Sequence, residues 1–138
     1  MAKVYEYRTT VTIGDTNLLQ NMYFHNFFKL QGTARELWVK DCVKDGISDL
    51  QKGMVLITRE ANCKFIKDFF LYNPVVVQLN FTEMQKTNVK IRFRFLHGAT
   101  GKLHVTGYQR IISAYINHHI IEFPENWENA GREYLDSE

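Results

Sequence analysis

The side chains of this chain that could carry out chemistry lie in the run from Asp15 to Arg35, DTNLLQNMYFHNFFKLQGTAR. The run opens with a carboxylate at Asp15 and an amide at Asn17, and it closes with the guanidinium of Arg35. When a helix is drawn at about 100° per residue, Arg35 falls on its apolar side, where an unpaired charge is very costly. A guanidinium in that setting favours a site that binds a carboxylate or a developing oxyanion.

The helix that must position Arg35 is predicted to run from about Met22 to Val43, with Asn21 as its N-cap. Its apolar stripe is continuous except for Gln31 and Arg35, which lie one turn apart. The stripe consists of Phe24, Phe28, Gln31, Arg35, Trp38 and Cys42, flanked by Phe27, Ala34 and Val39. Asn26 falls on the opposite, solvated face. The helix is therefore expected to bury an amide and a guanidinium side by side.

A second source of chemistry is the start of this helix, near Met22 to Phe24. The first backbone N–H groups of a helix have no partner within it, and the helix dipole makes that end positive. A carbonyl group could therefore be polarised there without any special side chain.

The other elements that must position these residues are strands. Alternation of apolar and polar residues predicts strands over residues 4–13, 55–67, 75–81, 89–95 and 103–116. In the second of these, the side chains expected on one face are Val55, Ile57, Ala61, Cys63 and Phe65. One long helix and long strands joined by short turns favour an α+β domain, in which a curved antiparallel sheet wraps around the helix. The free sheet edges favour dimers formed by sheet extension.

Composition limits the classes of function. The 138 residues fit one domain spanning 1–138, and 45% of them are hydrophobic, which is enough for a sizeable core. The net charge of +2, with basic residues spread over several strands, gives no argument for nucleic acid. No apolar signal region, membrane span or cysteine pair is apparent, so we expect a cytoplasmic protein that does not cross a membrane. No phosphate loop, serine-hydrolase elbow or metal-ligand spacing is present, so neither cofactor nor metal is expected.

The order of elements and the motifs YEYR, DTNL, NMYF and QGTARE resemble the hotdog-fold thioesterases of the 4-hydroxybenzoyl-CoA thioesterase type. The first third is most similar to the branch that releases polyketide chains in enediyne biosynthesis, where a run like DTNLxxNxYYxxYxxxQGxxRE is expected. The residues in register are Asp15–Leu18, Asn21, Tyr23, Gln31, Gly32, Arg35 and Glu36. The chain departs from the branch at Phe24 and Phe27, where tyrosines are frequent.

This resemblance implies hydrolysis of an acyl thioester on the phosphopantetheine arm of an acyl carrier domain in an iterative polyketide synthase. The product would be a conjugated or β-keto polyketide used in antibiotic biosynthesis, with decarboxylation as a further step. Asn17 and Arg35 would position water and stabilise the oxyanion. The resemblance also implies dimers, or dimers of dimers. The expected substrate-binding residues are Tyr23, Phe24, Phe27, Phe28, Gln31 and Trp38.

Other interpretations remain open at this point. Arg35 could be structural, paired with Glu60 or Glu83 across the core, and Asn17 could be a simple turn residue. Asp15 could be the catalytic carboxylate, as in many hotdog thioesterases, which would favour a general acyl-CoA thioesterase. A hotdog protein that binds acyl chains without turnover is the non-enzymatic alternative.

Overall fold

The structure is a computed structural model in which residues 2–136 are described. Its strands are β1 (Tyr5–Thr10), β2 (Met54–Phe65), β3 (Pro74–Met84), β4 (Asn88–His97) and β5 (Leu103–Tyr115). Its helices are α1 (His25–Cys42), α2 (Gly46–Gln51) and α3 (Glu125–Glu133), and a 3-10 turn spans Ile13–Asp15. Within residues 2–136, no helix combines the length and the hydrophobicity needed to cross a bilayer.

The five strands form one antiparallel sheet in the order β1-β3-β4-β5-β2. Helix α1 contacts both β1 and β2, which are the two opposite edges of that sheet. The sheet must therefore curve around the helix. This arrangement confirms the predicted α+β hotdog architecture. The core between helix and sheet includes Phe27, Ala34, Val39, Leu79, Phe93, Phe95 and Val105.

Helix α1 begins at His25, three residues later than predicted, and Asn21 is not its N-cap. Phe24 occupies the N-cap position and makes no side-chain capping bond. Asn21 instead forms an isolated bridge with Phe70 in the β2–β3 connection. Tertiary pairing of this segment outweighs the local capping preference on which the prediction rested.

The buried face of α1 is rotated relative to the predicted stripe. Its buried residues are Asn26, Phe27, Gln31, Ala34, Trp38 and Val39. Phe24 and Phe28, which were predicted to be on the apolar side, are 55% and 37% exposed. Asn26, which was predicted to be solvated, is buried because its Nδ2 donates to the backbone oxygen of Asp15 at 2.8 Å. A buried amide is tolerated when a backbone acceptor satisfies it.

Strand β2 changes face in its middle. Its pairing with β5 shifts by one residue between Thr58 and Glu60, which is the pattern of a β-bulge at Arg59. The predicted one-sided set is therefore split, with Val55 and Ile57 on the opposite face from Ala61, Cys63 and Phe65. Because of the bulge, Thr58 pairs with the core residue Ile111 and points toward the helix.

The buried ring of Phe27 on α1 provides a test of the packing between helix and sheet. Phe27 is 2% exposed, and its ring centroid lies 5.2 Å from that of Phe95 and 5.3 Å from that of Phe65. We expect Phe27→Ala to lower the free energy of unfolding by about 3–5 kcal/mol, because it leaves a cavity between helix and sheet. Phe24→Ala, on the exposed side of the same helix start, should change it by less than about 0.5 kcal/mol. Urea unfolding followed by circular dichroism measures both, and equal losses would contradict this assignment.

Candidate active site

Arg35 is held by two neutral oxygens from two different strands. Its Nη1 donates to Thr58 Oγ1 on β2 at 2.9 Å and to Gln109 Oε1 on β5 at 3.0 Å. Burial lowers the pKa of the guanidinium from its ordinary value. A guanidinium nevertheless stays protonated in proteins, so its charge persists. Arg35 forms no ion pair among residues 2–136, and its partly desolvated charge is therefore available to an anion.

Arg35 does not pair with Glu60 or Glu83, the partners expected for a structural role. Glu83 forms an ion pair with Arg110 at 2.9 Å, and Glu60 accepts a hydrogen bond from Tyr108. Arg110 and Tyr108 lie on the face of β5 opposite to Gln109, since side chains alternate along a strand. The two carboxylates therefore face away from the helix.

A chain of amides continues from Arg35 into the core. Gln109 Nε2 donates to Gln31 Oε1 at 3.1 Å, and Gln31 Nε2 donates to the backbone oxygen of Asn62 at 2.9 Å and to Cys63 Sγ at 3.2 Å. Gln31 has no exposed surface. The hydrogen bonds of its side-chain amide are thus made within the protein. Gln31 supports Arg35 through Gln109 and offers no free group to a substrate.

Gln109 and Thr58 are site residues that the sequence analysis missed. Gln109 is a polar residue at an inward position of β5, between Gly107 and Ile111, and this signal was available in the alternation of the strand. Thr58 offered no such signal, because its inward direction depends on the bulge at Arg59.

Cys63 is not a candidate nucleophile. Burial raises the pKa of its thiol to about 11, so the thiolate is scarce at neutral pH. Among residues 2–136, no three His, Cys, Asp or Glu side chains are grouped so that they could hold a metal ion.

The loop before α1 places Asp15 in a capping role. Its Oδ2 accepts hydrogen bonds from the backbone N–H of Thr12 at 2.9 Å and from Thr12 Oγ1 at 3.0 Å. These bonds close the 3-10 turn and orient the loop that follows. One of the two carboxylate oxygens is therefore used to close the turn.

Asn17 is exposed and forms an Asx turn. Its Oδ1 accepts from the backbone N–H of Leu19 at 2.9 Å, while its Nδ2 has no partner among the described residues. Asn17 therefore acts as a turn residue, and the two N–H groups of its Nδ2 have no partner among the described residues.

The structure does not bring Asn17 and Arg35 together within one chain. Arg35 lies ten residues into α1, which is about 15 Å along the helix axis, whereas Asn17 precedes the helix. The cavities that Arg35 lines do not include Asn17. A site that uses both residues therefore requires an extended substrate or a second chain.

The free N–H groups predicted at Met22 to Phe24 are only partly present. The N–H of Met22 donates to the backbone oxygen of Phe69 at 2.7 Å, and that of Tyr23 donates to the backbone oxygen of Asp15 at 2.9 Å. The N–H of Phe24 has no partner within the described chain. The free N–H groups therefore begin at Phe24, because the loop before α1 uses the N–H groups of Met22 and Tyr23.

The aromatic candidates fall into two groups. Phe27 and Trp38 are buried at 2% and 4% exposure and form part of the core. Tyr23, Phe24 and Phe28 are exposed around the start of α1. Further exposed apolar residues near that start are Leu18, Leu19, Phe65, Ile66 and Phe70. An exposed apolar surface of this kind is typical of a binding or association surface.

Arg35 lines both a small apolar cavity and a larger groove. The cavity, beneath Arg35 and among Trp38 and core side chains, measures about 20 Å³ and holds one water molecule at most. The groove, which we call the α1–β2 groove, measures about 360 Å³ and is lined by Gly32, Arg35, Glu36, Val39, Leu50 and Leu56. The small cavity has no room for an acyl chain, and the α1–β2 groove is the larger of the two openings at Arg35.

A family model described as the Thioesterase-like superfamily matches residues 11–130. No curated protein matches the sequence.

Several solved structures share the fold. The dynemicin thioesterase, whose crystal structures reveal effects of polyene binding, has a TM-score of 0.91 and 23% identity, over 97% of this chain and 99% of that one. A 1,4-dihydroxy-2-naphthoyl-CoA thioesterase from Synechocystis has a TM-score of 0.82 and 15% identity, over 93% and 95%. A gentisyl-coenzyme A thioesterase has a TM-score of 0.81 and 16% identity, over 89% and 98%.

Gly107 allows the amide chain to form. A Cβ atom at this position would overlap the backbone oxygen of Asn62 and lie 2.6 Å from Gln31 Nε2. We expect Gly107→Ala to lower the free energy of unfolding by about 1–3 kcal/mol, because the strands and Gln31 must shift apart. Gly14→Ala is the matched control, since a Cβ there meets nothing within 4 Å. Thermal unfolding compares the two, and a Gly107→Ala protein as stable as the control would refute the close approach.

Proposed function

We propose that this chain, which belongs to the Thioesterase-like superfamily and is a thioester hydrolase, releases a conjugated or β-keto polyketide from the acyl carrier domain of an iterative polyketide synthase of the enediyne type. The observation that carries the proposal is Arg35, a partly desolvated cation whose acceptors among residues 2–136 are all neutral, beside an open groove. A cytoplasmic location is part of the same proposal. The motifs of residues 5–36, and likeness to a thioesterase that binds a polyene, support the substrate class.

Arg35 stabilises the negative charge that develops during hydrolysis. Water adds to the thioester carbonyl carbon, the carbonyl oxygen becomes an oxyanion, and the carbon–sulfur bond then breaks as the sulfur leaves with a proton. A guanidinium has five N–H donors, and Nη1 uses its two for Thr58 and Gln109. The remaining three donors can bind the oxyanion and then the product carboxylate. A β-keto acid held in this way is also positioned to lose carbon dioxide.

Because Asn17 and Arg35 of one chain are far apart, Asn17 of a second chain would orient the attacking water beside Arg35 in this mechanism. Its Nδ2 is free, and the Asx turn fixes the side chain at the entrance of α1. The partner-free N–H of Phe24 lies at the same end of the helix as Asn17, so the second chain would also bring it to the carbonyl that it polarises. The exposed rings of Tyr23, Phe24 and Phe28 provide apolar surface for the acyl chain.

Dimerisation through β2 would complete the site. This strand has 12 residues and lies at the edge of the sheet, and residues 58–62 are exposed. An edge strand of this length has unpaired N–H and C=O groups, and pairing with the same strand of a second chain satisfies them. Because Leu56 and Val55 of β2 also line the α1–β2 groove, the second chain would form its outer wall and could bring its own loop residues to Arg35. Dimers of dimers are the larger assembly expected.

The second candidate is a general acyl-CoA thioesterase that uses Asp15. Its support is the likeness in fold to two thioesterases named for CoA substrates. The engagement of Asp15 with Thr12 weighs against it. The third hypothesis is a hotdog protein that binds acyl chains without turnover. Membership of an enzyme superfamily weighs against it.

Substrate preference separates these candidates. We expect a polyketide synthase loaded with a polyene or β-keto chain to release the free acid or the derived ketone when this protein is added. Hydrolysis of a series of simple acyl-CoAs should be slow by comparison. Mass spectrometry of the released products, alongside a thiol assay for CoA, measures both. Fast acyl-CoA hydrolysis without carrier release would favour the general thioesterase.

Side-chain replacement tests the roles of Arg35 and Asp15. We expect Arg35→Ala to lower kcat by about 100- to 1000-fold while the protein still folds, since an oxyanion donor is lost. Asp15→Asn should retain kcat within about tenfold, because the amide oxygen can still accept from Thr12. Arg94→Ala, on the outer face of the sheet, is the matched arginine control. Full activity in Arg35→Ala together with inactivity in Asp15→Asn would reverse the assignment.

A further inference from the structure

We infer that Gln109 is a positioning residue, which holds the Arg35 guanidinium in place by a neutral acceptor and thereby leaves its charge free for the substrate. This inference rests on the catalytic role proposed for Arg35. Gln109 is 5% exposed and therefore touches Arg35 and Gln31 in preference to solvent. It acts through the arginine, and no contact with substrate is assigned to it.

The direction of every bond in the amide chain is determined by its two ends. The backbone oxygen of Asn62 can only accept, so Gln31 must present its Nε2 there and its Oε1 toward Gln109. The guanidinium of Arg35 can only donate, so Gln109 must present its Oε1 there and its Nε2 toward Gln31. Both ends demand the same orientation of both amides. The acceptor that faces Arg35 is therefore preorganised before any substrate binds.

The neutrality of that acceptor has a chemical consequence. A carboxylate at position 109 would hold Arg35 equally well, and in a partly desolvated place the two charges would largely cancel. A substrate oxyanion or product carboxylate would then compete with an internal anion. An amide and the Thr58 hydroxyl provide the same geometry without this competition. The inward glutamine of β5 thus keeps the site selective for anionic groups of the ligand.

Two substitutions at Gln109 separate position from charge. Gln109→Met has nearly the same shape and removes both hydrogen bonds. Gln109→Glu keeps the acceptor for Arg35 and adds a charge, and it also loses the donor to Gln31. We expect each to lower kcat by about ten- to a hundredfold, the range for a charge-assisted hydrogen bond. Gln109→Glu should also weaken inhibition by the carboxylate product, raising its inhibition constant by at least about tenfold. Gln85→Glu, in the exposed β3–β4 turn, is the matched charge control and should change neither quantity.

Double substitution distinguishes a positioning role from a structural one. If Gln109 acts through Arg35, Gln109→Met should lower kcat little further in an Arg35→Ala background, whereas a purely structural role predicts the same factor in both backgrounds. Full activity and unchanged product inhibition in Gln109→Glu would overturn the inference, even if Arg35→Ala is inactive. An active Arg35→Ala protein would instead refute the proposed role of Arg35.

The hydroxyl of Thr58 keeps the inference testable if both Gln109 variants unfold. Thr58 is exposed on the edge strand, so its replacement perturbs the core little. Thr58→Val removes the second acceptor of Nη1 and should lower kcat by about tenfold, while Thr58→Ser should restore it. Circular dichroism and thermal unfolding of each variant accompany the kinetics. Equal activity of the valine and serine variants would overturn the view that neutral acceptors position Arg35.

Discussion

The arrangement of this site depends on one constraint, which is to keep a positive charge on Arg35 partly out of water with no counter-ion among the described residues 2–136. Most desolvated charges in proteins are paired, and an unpaired one is costly. Here the guanidinium is supported by a hydroxyl and an amide, and the amide is supported in turn by Gln31 and a backbone oxygen. In the proposed mechanism, an anion bound at Arg35 would offset the free-energy cost of this arrangement.

Two irregularities of the sheet place side chains around Arg35. The bulge at Arg59 turns Thr58 toward the helix, although regular alternation from the inward residues 61, 63 and 65 would turn it away. The missing side chain of Gly107 leaves room for Gln31 between β2 and β5. Each irregularity lies next to an atom of the hydrogen-bond chain that ends at Arg35.

The loop before α1 is organised by a separate set of bonds. Asp15 caps the 3-10 turn, its backbone oxygen accepts from Asn26, and the neighbouring amides pair with the β2–β3 connection. Because of these bonds, α1 starts only at His25, and the rings of Tyr23, Phe24 and Phe28 are exposed around its start. An extended thioester could pass over this surface toward the α1–β2 groove, which gives the two distant regions of one chain a common ligand.

The sequence by itself determined the class of fold and the position of Gln31 and Arg35 on one side of α1, where Gln31 is buried and Arg35 is half-buried. Both follow from periodicity, which depends only on local geometry and on the preference of apolar side chains for the core. The start of α1, the face of Thr58, the burial of Asn26 and the partners of Arg35 were decided by the tertiary structure. Each depends on a hydrogen bond between segments distant in sequence, and one-residue events such as a bulge or a displaced cap leave no periodic signal. Gln109 lies between these cases, since its inward position was visible in β5 but its partner was not.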